Sequence, residues 1–151
     1  MLNYILLGAA FVIIASLGYY AGTLLYKLKQ QNTAREKVRL GRVDTISDSV
    51  IVISKAMLQQ QCELSEGVIR IVRLLEALPI SPQPDFRSQY ANIYALFVEV
   101  SGFAILEERK KLPKKERMAQ DLKRGQLEAE FESKVLAELP AVISFSESLR
   151  A

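Results

Sequence analysis

Hydrophobic side chains are almost continuous over the first 26 positions. Nothing from Met1 to Tyr26 is charged, and only Asn3, Gly8, Ser16, Gly18, Gly22 and Thr23 depart from strong apolarity. A run of this length predicts a membrane-spanning helix. As helix, Leu2 to Tyr26 reaches about 37 Å at ~1.5 Å per residue, which crosses a hydrocarbon core of about 30 Å with some tilt. The pattern then changes period. Val43, Ile46, Val50, Ile53, Met57 and Leu64 fall on steps of three and four, with Gln60 interrupting, and predict a helical packing stripe. Leu64, Val68, Ile71, Val72, Leu75 and Leu78 form a second stripe. The spacing leaves open whether the two are one helix or break near "CELSEG", because Ser65 can cap a new helix and Gly67 can be tolerated inside one.

"LPISPQPDF" is a clear stop, because Pro79, Pro82 and Pro84 remove donors and disfavour helix before them. Asp85 is placed to cap a third helix carrying Phe86, Tyr90, Ile93, Phe97 and Val100, closed near Gly102. A last long helix is predicted from about Pro113 to Leu139, with Leu127, Phe131, Val135 and Leu139 buried, and Val142 too if the helix passes Pro140. Strand alternation and internal repeats are lacking. The expected fold is all-α: one transmembrane helix (1–26), a basic juxtamembrane stem (27–42) and a small cytoplasmic antiparallel helical bundle (43–151). Outside the span, the apolar share is close to that of ordinary globular domains and supports one modest core.

A cleaved signal peptide fits poorly. No basic residue precedes the run, the run is too long for an h-region, and cleavage after Ala21 would require a small residue where Tyr19 stands. Orientation follows from charge: Lys27, Lys29, Arg35, Lys37, Arg39 and Arg42 follow the span, opposed only by Glu36 and Asp44. The positive-inside rule then puts the N-terminus outside and the large C-terminal part in the cytoplasm. Tyr4 and Tyr26 suit the two interfacial belts. Within the span, Gly18 and Gly22 have the small-xxx-small spacing that lets two membrane helices approach, giving a possible homodimer through the anchor.

The chain has one cysteine and no histidine. Cys62 therefore forms no intrachain disulfide, fits a reducing compartment, and reads as a small buried hydrophobe followed by Glu63. Without histidine, imidazole-activated nucleophiles and the common zinc sets are excluded. Glu128, Glu130 and Glu132 read as a solvated helix surface, since residues two apart point to different faces. The seven glycines are scattered and build no phosphate loop. No catalytic residue, cofactor or metal is expected.

"QCELSEGVIR", residues 61–70, with Cys62, Glu63, Ser65, Glu66 and Arg70, and "RKKLPKKERM", residues 109–118, follow an apolar anchor and a basic stem. Together they resemble the bacterial family known as domain of unknown function 2489, over about Asp44 to Phe131. The resemblance implies a small inner-membrane protein facing the cytoplasm and supplies no activity. Family members often carry a histidine ahead of the basic motif. This chain reads "GFAILEERKK" there, so a site built on that histidine could not operate.

Charge in the C-terminal part is blocked. Residues 109–124 hold eight basic against two acidic side chains, whereas 45–108 hold four against eight. Arg109, Lys110, Lys111, Lys114, Lys115 and Arg117 read either as a solvated turn or as a contact for an acidic protein face or anionic lipid. Nucleic acid ranks last: the block lacks interleaved aromatics for base stacking. The expected function is a membrane-tethered cytoplasmic adaptor for an unidentified protein, with anionic-lipid binding through 109–124 as the alternative.

Overall fold

The computed structural model describes residues 1–103 and 111–150. All regular elements among them are helices: α1 (Leu2–Leu58), α2 (Leu64–Glu76), α3 (Phe86–Gln89), α4 (Ala91–Ser101) and α5 (Lys114–Ser148). The chain divides into two units, Met1–Leu40 and Gly41–Ala151.

The first unit is the N-terminal part of α1. From Phe11 to Tyr26 its side chains are exposed around nearly the whole helix, including Phe11, Ile14, Leu17, Tyr20 and Leu25. The helix is long and apolar enough to cross a membrane. Two of its hydroxyls are satisfied locally: Ser16 donates to the Ile13 carbonyl and Thr23 to the Tyr20 carbonyl, both at 2.8 Å. In an apolar solvent this removes two unpaired hydroxyls at little cost.

The second unit holds one core, contributed by the C-terminal part of α1 with α2, α3, α4 and α5. α4 packs on both α2 and α5. The stripe on α1 is shifted from the one hydrophobicity picks out. Val43, Ser47, Val50, Ser54 and Met57 are buried, whereas Ile46 and Ile53 flank the contact half-exposed. Both readings share the residues at steps of seven; between them the fully buried positions are Ser47 and Ser54, with Ile51 buried beside Val50, while Ile46 and Ile53 pack only partly against the core. The Ser47 and Ser54 hydroxyls have no hydrogen-bond partner, so small volume is what they supply there.

α1 and α2 are separate helices, and the break lies where Gln60 interrupts the stripe. Gln60 adopts φ 55°, its N–H donates to the Met57 carbonyl at 3.0 Å, and Gln61 N–H donates to the Ala56 carbonyl at 2.9 Å. This pair of bonds is the Schellman termination, in which glycine normally occupies the left-handed position. Gln60→Gly is therefore expected to stabilise the unit by about 0.5–1 kcal/mol and Gln60→Val to destabilise it. Thermal unfolding of the full chain in detergent checks this, and a destabilising glycine would refute the termination geometry.

Asp85 does cap a helix, accepting from Ser88 N–H at 3.3 Å. The predicted third helix is nonetheless interrupted at Tyr90 (φ −123°, ψ 59°), giving α3 and α4. Phe86, ahead of this step, and Tyr90, at it, are both buried, with Phe86 edge-on to Phe145 at 5.4 Å. Burial pushes the hydroxyl pKa of Tyr90 and Tyr94 above the usual tyrosine range; neighbouring charge, from Glu138 on Tyr90, adds to it. Gly102 closes α4 in an ordinary right-handed conformation.

The last helix outruns its predicted end. α5 starts after Pro113 as expected but passes through Pro140 to Ser148. Pro140 is exposed, so its ring faces solvent. Beyond it Val142 and Ser146 are buried, Phe145 packs on Phe86, and Arg150 pairs with Asp48 at 3.1 Å. These contacts offset the backbone bond lost at proline. Val135, Leu139 and Val142 are fully buried as expected, whereas Leu127 and Phe131 are only partly covered.

Candidate functional site

The family-motif residues Cys62, Glu63, Ser65, Glu66 and Arg70 come together at the α1–α2 turn and the first turns of α2. Their roles differ. Glu66 and Arg70 form an exposed ion pair one turn apart. Cys62 is half-buried at the edge of the core, less covered than the sequence reading supposed. Burial pushes its thiol pKa up, the Glu66 charge adds to this, and Arg70 only partly opposes it. A raised pKa means little thiolate at neutral pH, the reverse of what a nucleophilic cysteine needs.

Ser65 does not cap α2. The capping position is Glu63, which makes no side-chain bond, and Ser65 is buried inside the first turn. Its N–H instead donates to Glu128 Oε1 on α5 at 3.1 Å. The same device recurs at α4, whose capping residue Tyr90 also makes no side-chain bond. There Glu138 accepts from Asn92 N–H (3.0 Å), Asn92 Nδ2 (2.7 Å) and Ile93 N–H (3.0 Å). Two carboxylates of α5 thus satisfy free N–H groups and the positive dipole ends of two other helices. Glu128, read from sequence as solvated surface, is part of the structure's frame. Glu138 was missed; the available signal was a carboxylate directly beside the buried Leu139 stripe. Glu130 and Glu132 remain exposed.

Met57, Gln60, Cys62, Leu64, Glu128, Ala129, Glu132 and Leu136 line a shallow groove between the turn and α5. Its only thiol is unactivated and it presents no base and acid in apposition. Among the described residues no group of three His, Cys, Asp or Glu side chains is placed to hold a metal ion.

Of the basic block, Arg109 and Lys110 lie outside the described residues. Lys111, Lys114 and Lys115 are exposed, and Arg117 is half-buried. The structure adds two members that the motif did not single out: Lys123 Nζ and Arg124 Cζ lie 5.9 Å and 5.7 Å from the centre of the Phe103 ring. These cation–π contacts join this stretch of α5 to Phe103, just past the end of α4. The stem charges are exposed apart from the half-buried Arg39, which grips Glu36 through two bonds, at 2.9 Å and 2.5 Å, and that hydrogen bonding holds the carboxyl below its usual range. Gly18 and Gly22 face open space, with no atom within 4 Å of an added Cβ.

The surface of the described residues thus presents charged and apolar faces. The profile of a family described as "Protein of unknown function (DUF2489)" matches residues 14–142. This reaches further toward both ends than the likeness read from the two motifs and takes in much of the apolar run. An uncharacterised protein of Haemophilus influenzae is 34% identical over 140 residues, covering 93% of this chain and 92% of its own length. No solved structure matches. Nothing in the family or in this relative points to catalysis.

Proposed function

This chain belongs to the DUF2489 family of proteins of unknown function, and from that premise we propose that it is a membrane-tethered helical interaction module without a catalytic site. In this reading residues 1–26 anchor the chain in the bacterial inner membrane. Residues 27–42 form the basic stem, and 43–151 form a cytoplasmic domain that binds another protein. The observation that carries the reading is the apolar part of α1, which has no covering partner around most of its circumference. Lys27, Lys29, Arg35, Lys37, Arg39 and Arg42 support a cytoplasmic stem by the positive-inside rule, and the Haemophilus relative supports a bacterial setting. Pairing of two anchors through Gly18 and Gly22 belongs to the same proposal, supported by the open space beside both residues.

Reporters fused after Ala151 test the topology. A reporter that works only in the cytoplasm is expected to be active there, and activity of an export-dependent one would overturn the orientation. Crosslinking in native membranes, followed by identification of the adducts, tests the interaction role. Recovery of no protein adduct from chains correctly inserted would sink it.

A further inference from the structure

The outer face of the first half of α5 combines apolar tips with cations. Met118 and Leu122 are 69% and 67% exposed, an unusual degree for two large apolar side chains one turn apart. Lys114 and Lys115, both exposed, precede Met118 by four and three residues and so share its face. Lys111, also exposed, lies just ahead of the helix. Asp121 sits at the margin and has an interaction of its own. The opposite side is committed to the unit: Arg117 and Leu127 are half-buried, and Arg124 lies over Phe103.

A stable protein interface takes about 800 Å² from each partner and is usually centred on aromatic or arginine anchors. This face has two apolar side chains, no aromatic and only lysine cations. Those features suit a lipid headgroup layer, into which short apolar tips insert while lysine stems lie along the surface and their ammonium groups meet phosphate. We propose that the Lys114–Lys115–Met118–Leu122 face of α5 docks on anionic phospholipid. The proposal deepens the reading of the chain as membrane-tethered and rests on it only for the supply of a nearby bilayer.

The test uses the full chain, with Cys62→Ser and Leu122→Cys, carrying an environment-sensitive dye at position 122. It is reconstituted into vesicles of phosphatidylcholine alone or mixed with phosphatidylglycerol. A blue shift in the anionic vesicles, reversed by high salt and nearly absent in the neutral ones, is expected. Lys114→Gln with Lys115→Gln should lower the docked-to-free ratio about 25-fold, at roughly fivefold per lysine, while leaving the circular dichroism melt unchanged. Water-like emission in the anionic vesicles would overturn the proposal. So would an equal shift in neutral vesicles or detergent micelles, which would report apolar contact independent of headgroup charge. Carbonate extraction separates the two readings: chains that show the salt-sensitive shift on anionic vesicles at neutral pH but are afterwards stripped from them by carbonate would refute the span and keep the docking face.

Discussion

Glu138→Ala is expected to destabilise the helical unit by about 3 kcal/mol, a large effect for a half-exposed position on a helix surface. The carboxylate accepts two backbone N–H groups and the Asn92 amide, all within 3.0 Å. Charge-assisted hydrogen bonds contribute about 1.5–3 kcal/mol and a lost N-cap costs about 1 kcal/mol. Tyr90 has no side-chain acceptor to take over. Glu138→Gln keeps an acceptor but loses the charge that complements the helix dipole, so it should fall between the two at about 1 kcal/mol. Thermal unfolding of the full chain in detergent, followed by near-ultraviolet circular dichroism of Tyr90 and Tyr94, gives the ranking. An alanine variant as stable as the native chain would show that α4 begins without this carboxylate.

Gly67→Val should cost a similar amount, about 3 kcal/mol, through overpacking where α2 crosses the end of α1. A Cβ at position 67 would lie 2.3 Å from Met57 Sδ and 2.6 Å from Met57 Cγ. Met57 is itself only 2% exposed, so its side chain has little room to withdraw. Gly67→Ala meets the same atoms but recovers about 1 kcal/mol of helix propensity, and its net cost should be smaller. The informative variant is the pair. Met57→Ala alone leaves a cavity and destabilises, yet combined with Gly67→Val it removes the obstacle, so the two changes should couple favourably by more than about 1 kcal/mol. Strictly additive effects would mean the two side chains do not compete for one space. The requirement at Gly67 is thus steric and not conformational, since the residue sits in regular helix.

The helical class, the apolar run, the proline-rich stop before Asp85 and most of the central core were legible from residue order alone. Each of these is written in local quantities: side-chain polarity at a fixed period, a missing N–H, a short carboxylate ahead of a helix. The family motif was legible for the same reason, as two short strings in the right order. Tertiary structure decided the rest. Which side of α1 is buried depended on how closely its neighbours approach, and that favoured Ser47 and Ser54 over the isoleucines beside them. Whether α5 survived Pro140 depended on what Val142, Phe145 and Ser146 could bury afterwards, an energy that no local propensity contains. The caps on α2 and α4 come from Glu128 and Glu138, 63 and 46 residues away from the N–H groups they satisfy. A capping box announces itself at a separation of three residues. A carboxylate acting across the core looks like any other surface glutamate until the helices are packed.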